Sequence, residues 1–378
     1  MLKYKKKKRL TRRRHVWSEH LLNYNHLIDM EDYTVPQWNE IISLAEKIKA
    51  APEEYGERCK GKIMATLFYE PSTRTQMSFQ AAMIRLGGNI IGFDNPSNSS
   101  VAKGENLKDT IKIVSTYSDI LVMRHTQEGS AKAAALCADC HVINAGDGGH
   151  LHPTQTLTDL LTLKCELGRL DNLTVGLCGD LKYGRTVHSL VKALSCYKNN
   201  KFVLISTPDL ALPSYIKDVI RAHGSSFTEV KTIDECIKDL DMLYMTRIQR
   251  ERFASEDEYE KQKNVYCLTK AKMQYARHDM IVMHPLPRVN EIEVAVDDDP
   301  RAAYFRQANN GMYVRMALIL YTMNNVPKVK PLLLGQIHNN VNCTNHKCVT
   351  QTEKYLPHSF INRGDILVCE YCDERILL

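Results

Sequence analysis

The sequence predicts an α/β protein: two doubly wound parallel-sheet domains joined by crossover helices, plus a small C-terminal four-cysteine ribbon. Three observations predict it. Short apolar strands alternate with amphipathic stretches of about 10 to 18 residues, the pattern of βαβ units with helices on both sheet faces. A helix expected over 154–167 separates two such series, because strands resume only at Leu173. The stretch after 341 changes composition and gathers four cysteines in two close pairs. At 378 residues and 44% hydrophobic, the chain can bury two cores and still carry an appendage.

Taken in order, residues 1–14 hold nine basic side chains and no acid. That leaves 41 basic against 44 acidic residues elsewhere, so the net charge of +6 belongs to this arm. A flexible, solvated arm over 1–19 is the plainest reading. Contact with nucleic acid or an acidic partner, or a transit role, stays open, but the arm lacks the apolar core of a secretory signal. Residues 62–69 (KIMATLFY) read as a buried strand. Met77, Phe79, Ala82, Met83 and Leu86 then recur at helical spacing until Gly87-Gly88 ends the pattern. Further strands are expected at 89–93, 119–123, 142–144, 174–178, 202–206, 242–245 and 280–282, with a helix at 186–196. A last helix near 304–323 returns to the first domain. Residues 326–341, with Pro327 and Pro331, read as a linker. No apolar run of about 18 residues exists, so no membrane-spanning helix is expected.

Between the first strand and its helix lies FYEPSTRT, 68–75. Ser72, Thr73, Arg74 and Thr75 fall in the first helical turn, where unpaired N–H groups and the positive dipole end point outward. Hydroxyls and a guanidinium there can grip a phosphate-like anion. A helix cap with a surface arginine would read the same in isolation; the preceding Glu70-Pro71 favours the anion site. Ligands of open parallel sheets bind beyond the carboxyl ends of the strands, so the residues following each strand are candidates. They are Arg124-His125, the stretch 146–155 with His152 and Gln155, 180–186 with Arg185 and Thr186, Arg247-Ile248-Gln249, and His284-Pro285-Leu286-Pro287-Arg288. Together they describe a basic pocket for small, doubly anionic substrates. No Walker-type loop and no nucleophile elbow appears, which argues against nucleotide hydrolysis and Ser-His-Asp chemistry.

Cys343-x4-Cys348 and Cys369-x2-Cys372 have zinc-ribbon spacing. Two short hairpins can set four thiolates tetrahedrally around one Zn2+ per chain. No ligand position is left for water, so the site is structural and supplies folding energy to a module too small to bury a core. The competing reading, two disulfides, needs an oxidising compartment. The other eight of the twelve cysteines form no framework, which points to a reducing, cytoplasmic setting. Cys137 and Cys140 read as helix core, and His338 and His346 as surplus to a four-cysteine site.

Seven motifs in unbroken order, FYEPSTRT, SSVAKGENLKDT, MRHTQEG, NAGDGGHLHPTQTLTDL, GDLKYGRTVHSL, MTRIQRER and HPLPRVNEI, resemble the aspartate carbamoyltransferase catalytic chain across 20–325. The resemblance implies that carbamoyl phosphate and L-aspartate give N-carbamoyl-L-aspartate and phosphate in pyrimidine (UMP) synthesis, with no organic cofactor. A carbamoyltransferase with another acceptor, such as ornithine, is the alternative. The implied division is a carbamoyl-phosphate-binding domain at 20–152 completed by helix 303–325, an aspartate-binding domain at 153–302, the linker, and a zinc-binding domain at 342–378. That last module resembles the zinc domain of the family's regulatory chain, but there is no room for the nucleotide-binding domain that precedes it there. The departure puts nucleotide feedback in doubt. It implies a fused enzyme whose ribbons pack against catalytic subunits, as a homotrimer or a dimer of trimers. Nucleic-acid binding, arguable from ribbon plus arm, would leave the middle of the chain unexplained.

By the same resemblance, Ser72, Thr73, Arg74 and Thr75 grip the phosphate. Arg124, His152 and Gln155 surround the carbamoyl carbonyl, where donors stabilise an oxyanion. Arg185 with Thr186, and Arg247 with Gln249, take the two aspartate carboxylates, each guanidinium fork matching one. The backbone carbonyl of Leu286, beside Pro285, accepts from the attacking amine. The loop 97–105 reaches into the neighbouring subunit's site with Lys103 and with either Ser99 or Ser100, although a plain polar surface loop fits its composition equally well. His152 in isolation would read as a buried structural histidine; its place in HPTQ at a strand end reverses that. No sulfur takes part, so carbamoyl transfer is expected to survive loss of the metal.

Overall fold

The structure, a computed structural model, describes residues 25–248, 255, 257, 259, 260, 265–325 and 332–377. The basic arm and Gln249 lie outside the described residues. The first sheet comprises β1 (Ile63–Phe68), β2 (Asn89–Phe93), β3 (Ile120–His125) and β4 (His141–Asp147), all parallel, in the order β2-β1-β3-β4. The second comprises β5 (Thr174–Cys178), β6 (Lys201–Ile205), β7 (Ser226–Val230), β8 (Met242–Met245) and β9 (Ile281–Met283), parallel in the order β7-β6-β5-β8-β9. Each order reverses once, between β1 and β3 and between β5 and β8. Side chains after those strands therefore open into a crevice between diverging helices.

Eight of the nine strands in these two sheets fall where the apolar runs predict them, to within a few residues. β7 was not anticipated, because its sequence, SFTEV, lies on a sheet edge and is largely exposed, so it carries no apolar run. Parallel strands bury both faces. In β1, Met64 and Phe68 enter one core while Ala65 and Leu67 enter another.

The longer helices among the described residues are α1 (Val35–Ala50), α2 (Thr73–Arg85), α3 (Leu107–Tyr117), α4 (Ser130–Ala135), α5 (Pro153–Leu167), α6 (Arg185–Ser195), α7 (Ser214–Ala222) and α8 (Tyr304–Asn324). Pro153 opens α5 at a position where its missing N–H costs nothing, and Gly168 ends it in the left-handed region, φ +72°. α5 links the two sheets, and α8 returns to pack on α1, α2 and α5. One core therefore runs from Phe68 and Phe79 through Leu157, Leu160 and Leu318 to Val175, Met242 and Tyr244 of the second sheet. Met77, expected on the apolar stripe of α2, is instead 62% exposed, as is Ile84 two turns on at 57%. The stripe of Phe79, Ala82 and Met83 faces the core, and Met77 lies outside it. No helix of the described residues is long and apolar enough to cross a membrane.

The C-terminal module is a four-stranded antiparallel sheet, β10 (Gln336–Ile337), β11 (Ser359–Asn362), β12 (Ile366–Cys369) and β13 (Arg375–Leu377), in sequential order. Its first strand falls inside the stretch expected to be linker. The module covers the outer face of the first sheet. Its four cysteines, Phe360 and Tyr371 share a core with Leu107, Met123, Ala131 and Ala134. Cys137 and Cys140 are buried there too, just after α4 rather than within it. A fully buried aromatic of this kind contributes about 2 to 3 kcal/mol. Backbone pairing adds to the packing: Glu128 N donates to Lys347 O and Val349 N to Glu128 O, both at 2.9 Å. Lys132 Nζ donates to Glu370 O at 2.8 Å.

Candidate active site

The crevices of the two sheets open into one cavity of about 550 Å3, lined by both domains. From the first domain come Ser72 to Thr75. Ser72 is the N-cap residue of α2 but does not cap it; its Oγ donates instead to Thr75 Oγ1 at 3.1 Å. The N–H groups of the first turn are thus left for a ligand. Arg74 and Arg124 converge there. Burial, and then the charge of Arg124, hold the Arg74 guanidinium below its ordinary value.

Arg124, the fifth residue of β3, is buried. Its Nη2 donates to Glu70 Oε1 at 3.1 Å and its Nη1 to Ala145 O at 3.3 Å, which aims the fork across the β1–β3 switch point. Space for that fork is made by Gly146, whose φ is +118°. A Cβ at that position would lie 2.8 Å from Arg124 Nη1 and 3.4 Å from Arg185 Nη2. His152 precedes α5 as its N-cap and is buried. Burial, reinforced by Arg185, Arg124 and Arg315, pushes its pKa well below the ordinary histidine value. The imidazole is therefore neutral at pH 7 and can donate one hydrogen bond without carrying a charge.

From the second domain, Arg185 opens α6 beyond β5 and donates through Nη1 to Gly148 O, while Thr186 follows it in the first turn. Thr246 and Arg247 extend from β8. Thr246 Oγ1 donates to Cys178 O and accepts from Asp180 N, locking the two strand ends together. The segment His284 to Pro287 closes the cavity. His284 Nε2 lies 2.8 Å from Glu291 Oε1, and His284 Nδ1 accepts from Leu286 N at 2.7 Å, which helps to fix the backbone of this loop.

Of the candidates read from sequence, Ser72, Thr73, Arg74, Thr75, Arg124, His152, Gln155, Arg185, Thr186, Arg247, Pro285 and Leu286 all line this cavity. Ser99, Ser100 and Lys103 do not. They sit on a surface loop, with Ser100 and Lys103 exposed. Two strand-end side chains also turn elsewhere. His125 Nδ1 accepts from Gln127 N at 3.0 Å and its ring packs on Tyr69. Arg288 pairs with Asp297 and donates to Tyr304 OH at 3.1 Å. A strand end locates a residue but does not say which way its side chain leaves the backbone.

Sequence reasoning missed Arg315, Gln307 and Asp159. Arg315 reaches the cavity from α8, its guanidinium 5.0 Å from the Phe79 ring centroid, with burial pushing its pKa down to about 10. A lone arginine between Val314 and Met316 in an apolar helix was the available signal. Asp159 is fully buried beneath the cavity. It accepts from Gln155 Nε2 at 2.7 Å, Gln307 Nε2 at 2.6 Å and Tyr244 OH at 2.9 Å.

The four C-terminal cysteines form a separate centre. All are buried, with their sulfurs within 4.8 Å of one another. Cys343 Sγ and Cys372 Sγ are 3.5 Å apart, and Cys348 Sγ and Cys369 Sγ 3.9 Å. A tetrahedral ion with metal–sulfur bonds of about 2.3 Å places its sulfurs about 3.8 Å apart, so the donors fit. Disulfides, at about 2.05 Å, do not. His338 and His346 stand outside the cluster.

Residues 25–165 match the family model for the carbamoyl-phosphate-binding domain of aspartate/ornithine carbamoyltransferase, and residues 171–322 that for its Asp/Orn-binding domain. Residues 335–377 match the metal-binding domain of the aspartate carbamoyltransferase regulatory chain. The chain is 59% identical over 300 residues to the aspartate carbamoyltransferase catalytic subunit of Clostridium perfringens (strain SM101 / Type A), covering 79% of this chain and 98% of that one. Among solved structures it is similar to the catalytic subunit of M. jannaschii aspartate transcarbamoylase, with a TM-score of 0.74 and 46% identity over 79% of this chain and 97% of the other. It is also similar to Trypanosoma cruzi aspartate transcarbamoylase in complex with carbamoyl aspartate and phosphate, with a TM-score of 0.75 and 39% identity over 80% and 97% of the two chains.

Proposed function

The chain belongs to the aspartate carbamoyltransferase family and carries a regulatory-type metal-binding domain; from that premise we propose how its own residues transfer the carbamoyl group of carbamoyl phosphate to L-aspartate. The observation that carries the reading is the charge of the cavity. Arg74, Arg124, Arg185, Arg247 and Arg315 line it, and the one carboxylate among its described lining residues, Glu70, is engaged by Arg124. Such a pocket suits a phosphate beside a dicarboxylate. It offers no free acid, among the described residues, for the second amine of ornithine.

Ser72, Thr73, Arg74 and Thr75 hold the phosphate at the open helix end. Arg124, neutral His152 and Gln155 donate to the carbamoyl oxygen as it gains negative charge on attack. Arg185 with Thr186, and Arg247 with Gln249, orient aspartate by its carboxylates. The Leu286 carbonyl accepts from the amine and aims its lone pair at the carbamoyl carbon. The C–N bond forms, the C–O bond to phosphate breaks, and the amine proton leaves with the phosphate. No covalent enzyme intermediate is needed, so positioning and charge stabilisation carry the rate. The product feeds pyrimidine synthesis.

Lys103 and one nearby serine serve a neighbouring subunit's cavity, which fits their absence from the lining of their own. Ser99 donates to Pro96 O at 2.8 Å and accepts from Val101 N at 3.3 Å, so Ser100 is the better candidate to enter. A homotrimer is supported by Met77 and Ile84, exposed two turns apart on one face of α2, an apolar stripe that needs cover. The metal is assigned as Zn2+, the usual ion of closed structural sites of four thiolates. A cytoplasmic setting fits twelve cysteines of which none is in a disulfide. The test is an assay of purified protein with aspartate and with ornithine. N-carbamoyl-aspartate without citrulline is expected, and citrulline as the main product would overturn the acceptor.

A further inference from the structure

The loop between β4 and α5, residues 147–152, ends on His152 and is held from the C-terminal ribbon at two points. From the first cysteine pair, Asn345 Nδ2 donates to Glu128 Oε2 at 2.7 Å, and Glu128 Oε1 accepts from Gly149 N at 3.2 Å. From the second pair, Asp373 follows Cys372 and places Oδ2 3.2 Å from His150 Nε2, at ion-pair distance. The other ring nitrogen, His150 Nδ1, lies 3.1 Å from Asp147 Oδ2. Asp147 is itself fixed, accepting from Gly129 N at 2.8 Å and Leu151 N at 3.0 Å. Across the loop, Arg185 donates to Gly148 O. The segment that carries His152 is thus gripped between a cavity arginine and the metal module.

We propose that the metal-loaded ribbon sets the conformation of loop 147–152 through Asn345–Glu128 and Asp373–His150, making Glu128 and His150 positioning residues for His152. The kinetic part of this rests on His152 being the carbonyl donor. Asn345 lies between Cys343 and Cys348, and Asp373 adjoins Cys372 in the left-handed region at φ +60°. Both side chains are therefore placed by the geometry of the four-sulfur centre. A ribbon of this size has little core of its own, so loss of the ion releases both contacts together. The loop would keep its Asp147 contacts but lose its outer anchors. Displacing a catalytic donor by about 1 Å costs up to about 100-fold, and partial release should cost roughly three- to tenfold. This reverses the expectation that transfer is indifferent to the metal.

The test compares full-length protein loaded with metal, stripped by a mercurial, and loaded after Asn345→Ala with Asp373→Asn or after Glu128→Gln with His150→Gln. About one ion released per chain should first establish that each variant retains its metal. Hydrogen–deuterium exchange of amides 147–152 is expected to quicken about tenfold in the stripped protein and in both loaded variants. The kcat should fall roughly three- to tenfold, while Arg363→Ala, an exposed ribbon change away from the loop, stays at wild type. Stripping the Asn345→Ala/Asp373→Asn variant should add little further loss. Loaded variants with wild-type exchange and kcat would overturn the proposal. So would a stripped wild type that keeps both, or stripping that slows the variant as much as the wild type. Exchange reads the coupling whatever the acceptor, so a wrong acceptor and a wrong clamp are distinguishable.

Discussion

Asp159 is the buried point on which the cavity is built, and replacing it gives a demanding test. Its carboxylate joins Gln155 of α5, Gln307 of α8 and Tyr244 of β8. Gln307 Oε1 in turn accepts from His284 N at 2.9 Å and so steadies the segment from His284 to Pro287. Asp159→Ala leaves three buried donors without an acceptor. At about 1 to 3 kcal/mol each, with some relaxation, the loss should reach about 3 to 6 kcal/mol. That lowers the apparent Tm by roughly 6 to 15 °C in scanning fluorimetry. Gln155 and the His284 segment lose their fixed orientation, so kcat/KM for both substrates should fall about 100-fold.

Asp159→Asn is the informative control. Its amide oxygen can accept from both glutamines while Tyr244 OH turns to accept from the new NH2, so most activity should return. The pH dependence differs too. Burial raises the Asp159 carboxyl from 3.8 to about 7. The folded state therefore binds the extra proton, and its contribution is fully present below about pH 4 and lost as pH rises through about 7. The swing is about 4 kcal/mol at about 1.4 kcal/mol per pH unit, and Asp159→Asn should abolish it. An alanine variant with wild-type Tm and kinetics, or an asparagine variant as impaired as alanine, would refute the network.

Three further outcomes are expected. Arg247→Ala should raise the KM for aspartate by roughly 30- to 150-fold, from about 2 to 3 kcal/mol of lost charge-assisted contact, with little change for carbamoyl phosphate; equal losses would sink its assignment to the carboxylates. Gly129→Ala should undock the ribbon, because Gly129 has φ +85° and a Cβ there would lie 2.5 Å from Tyr371 Cβ and 2.6 Å from its carbonyl oxygen; apolar-dye binding should rise, and unchanged dye binding and Tm would count against the docked arrangement. Inactive Lys103→Ala and Arg74→Ala homo-oligomers, mixed and reassociated, should regain activity in about one site in four if each site draws its two halves independently around a closed ring; verified hybrids that stay inactive would show that Lys103 does not act in a neighbour.

Much of this protein was legible in its sequence because the decisive signals are local. Parallel strands buried on both faces must be apolar throughout, so runs such as 174–178 and 242–245 announce themselves. A phosphate turn needs its hydroxyls and arginine within one helical turn, and a four-thiolate centre needs its cysteines in two tight pairs. Both are written in consecutive residues. Tertiary structure alone decided what depends on orientation and on distant partners. His125 and Arg288 stand at strand ends like Arg124, yet one packs on Tyr69 and the other pairs with Asp297. Arg315, Gln307 and Asp159 acquire their places only when α8 folds back between the domains. The ribbon's seat on α3 and α4, and its reach into the His152 loop, join residues more than 200 positions apart. Composition and periodicity report whether a residue is buried, but they do not report against what. That is set by the approach of surfaces distant in the chain, where burial, charge and hydrogen bonding must be satisfied together.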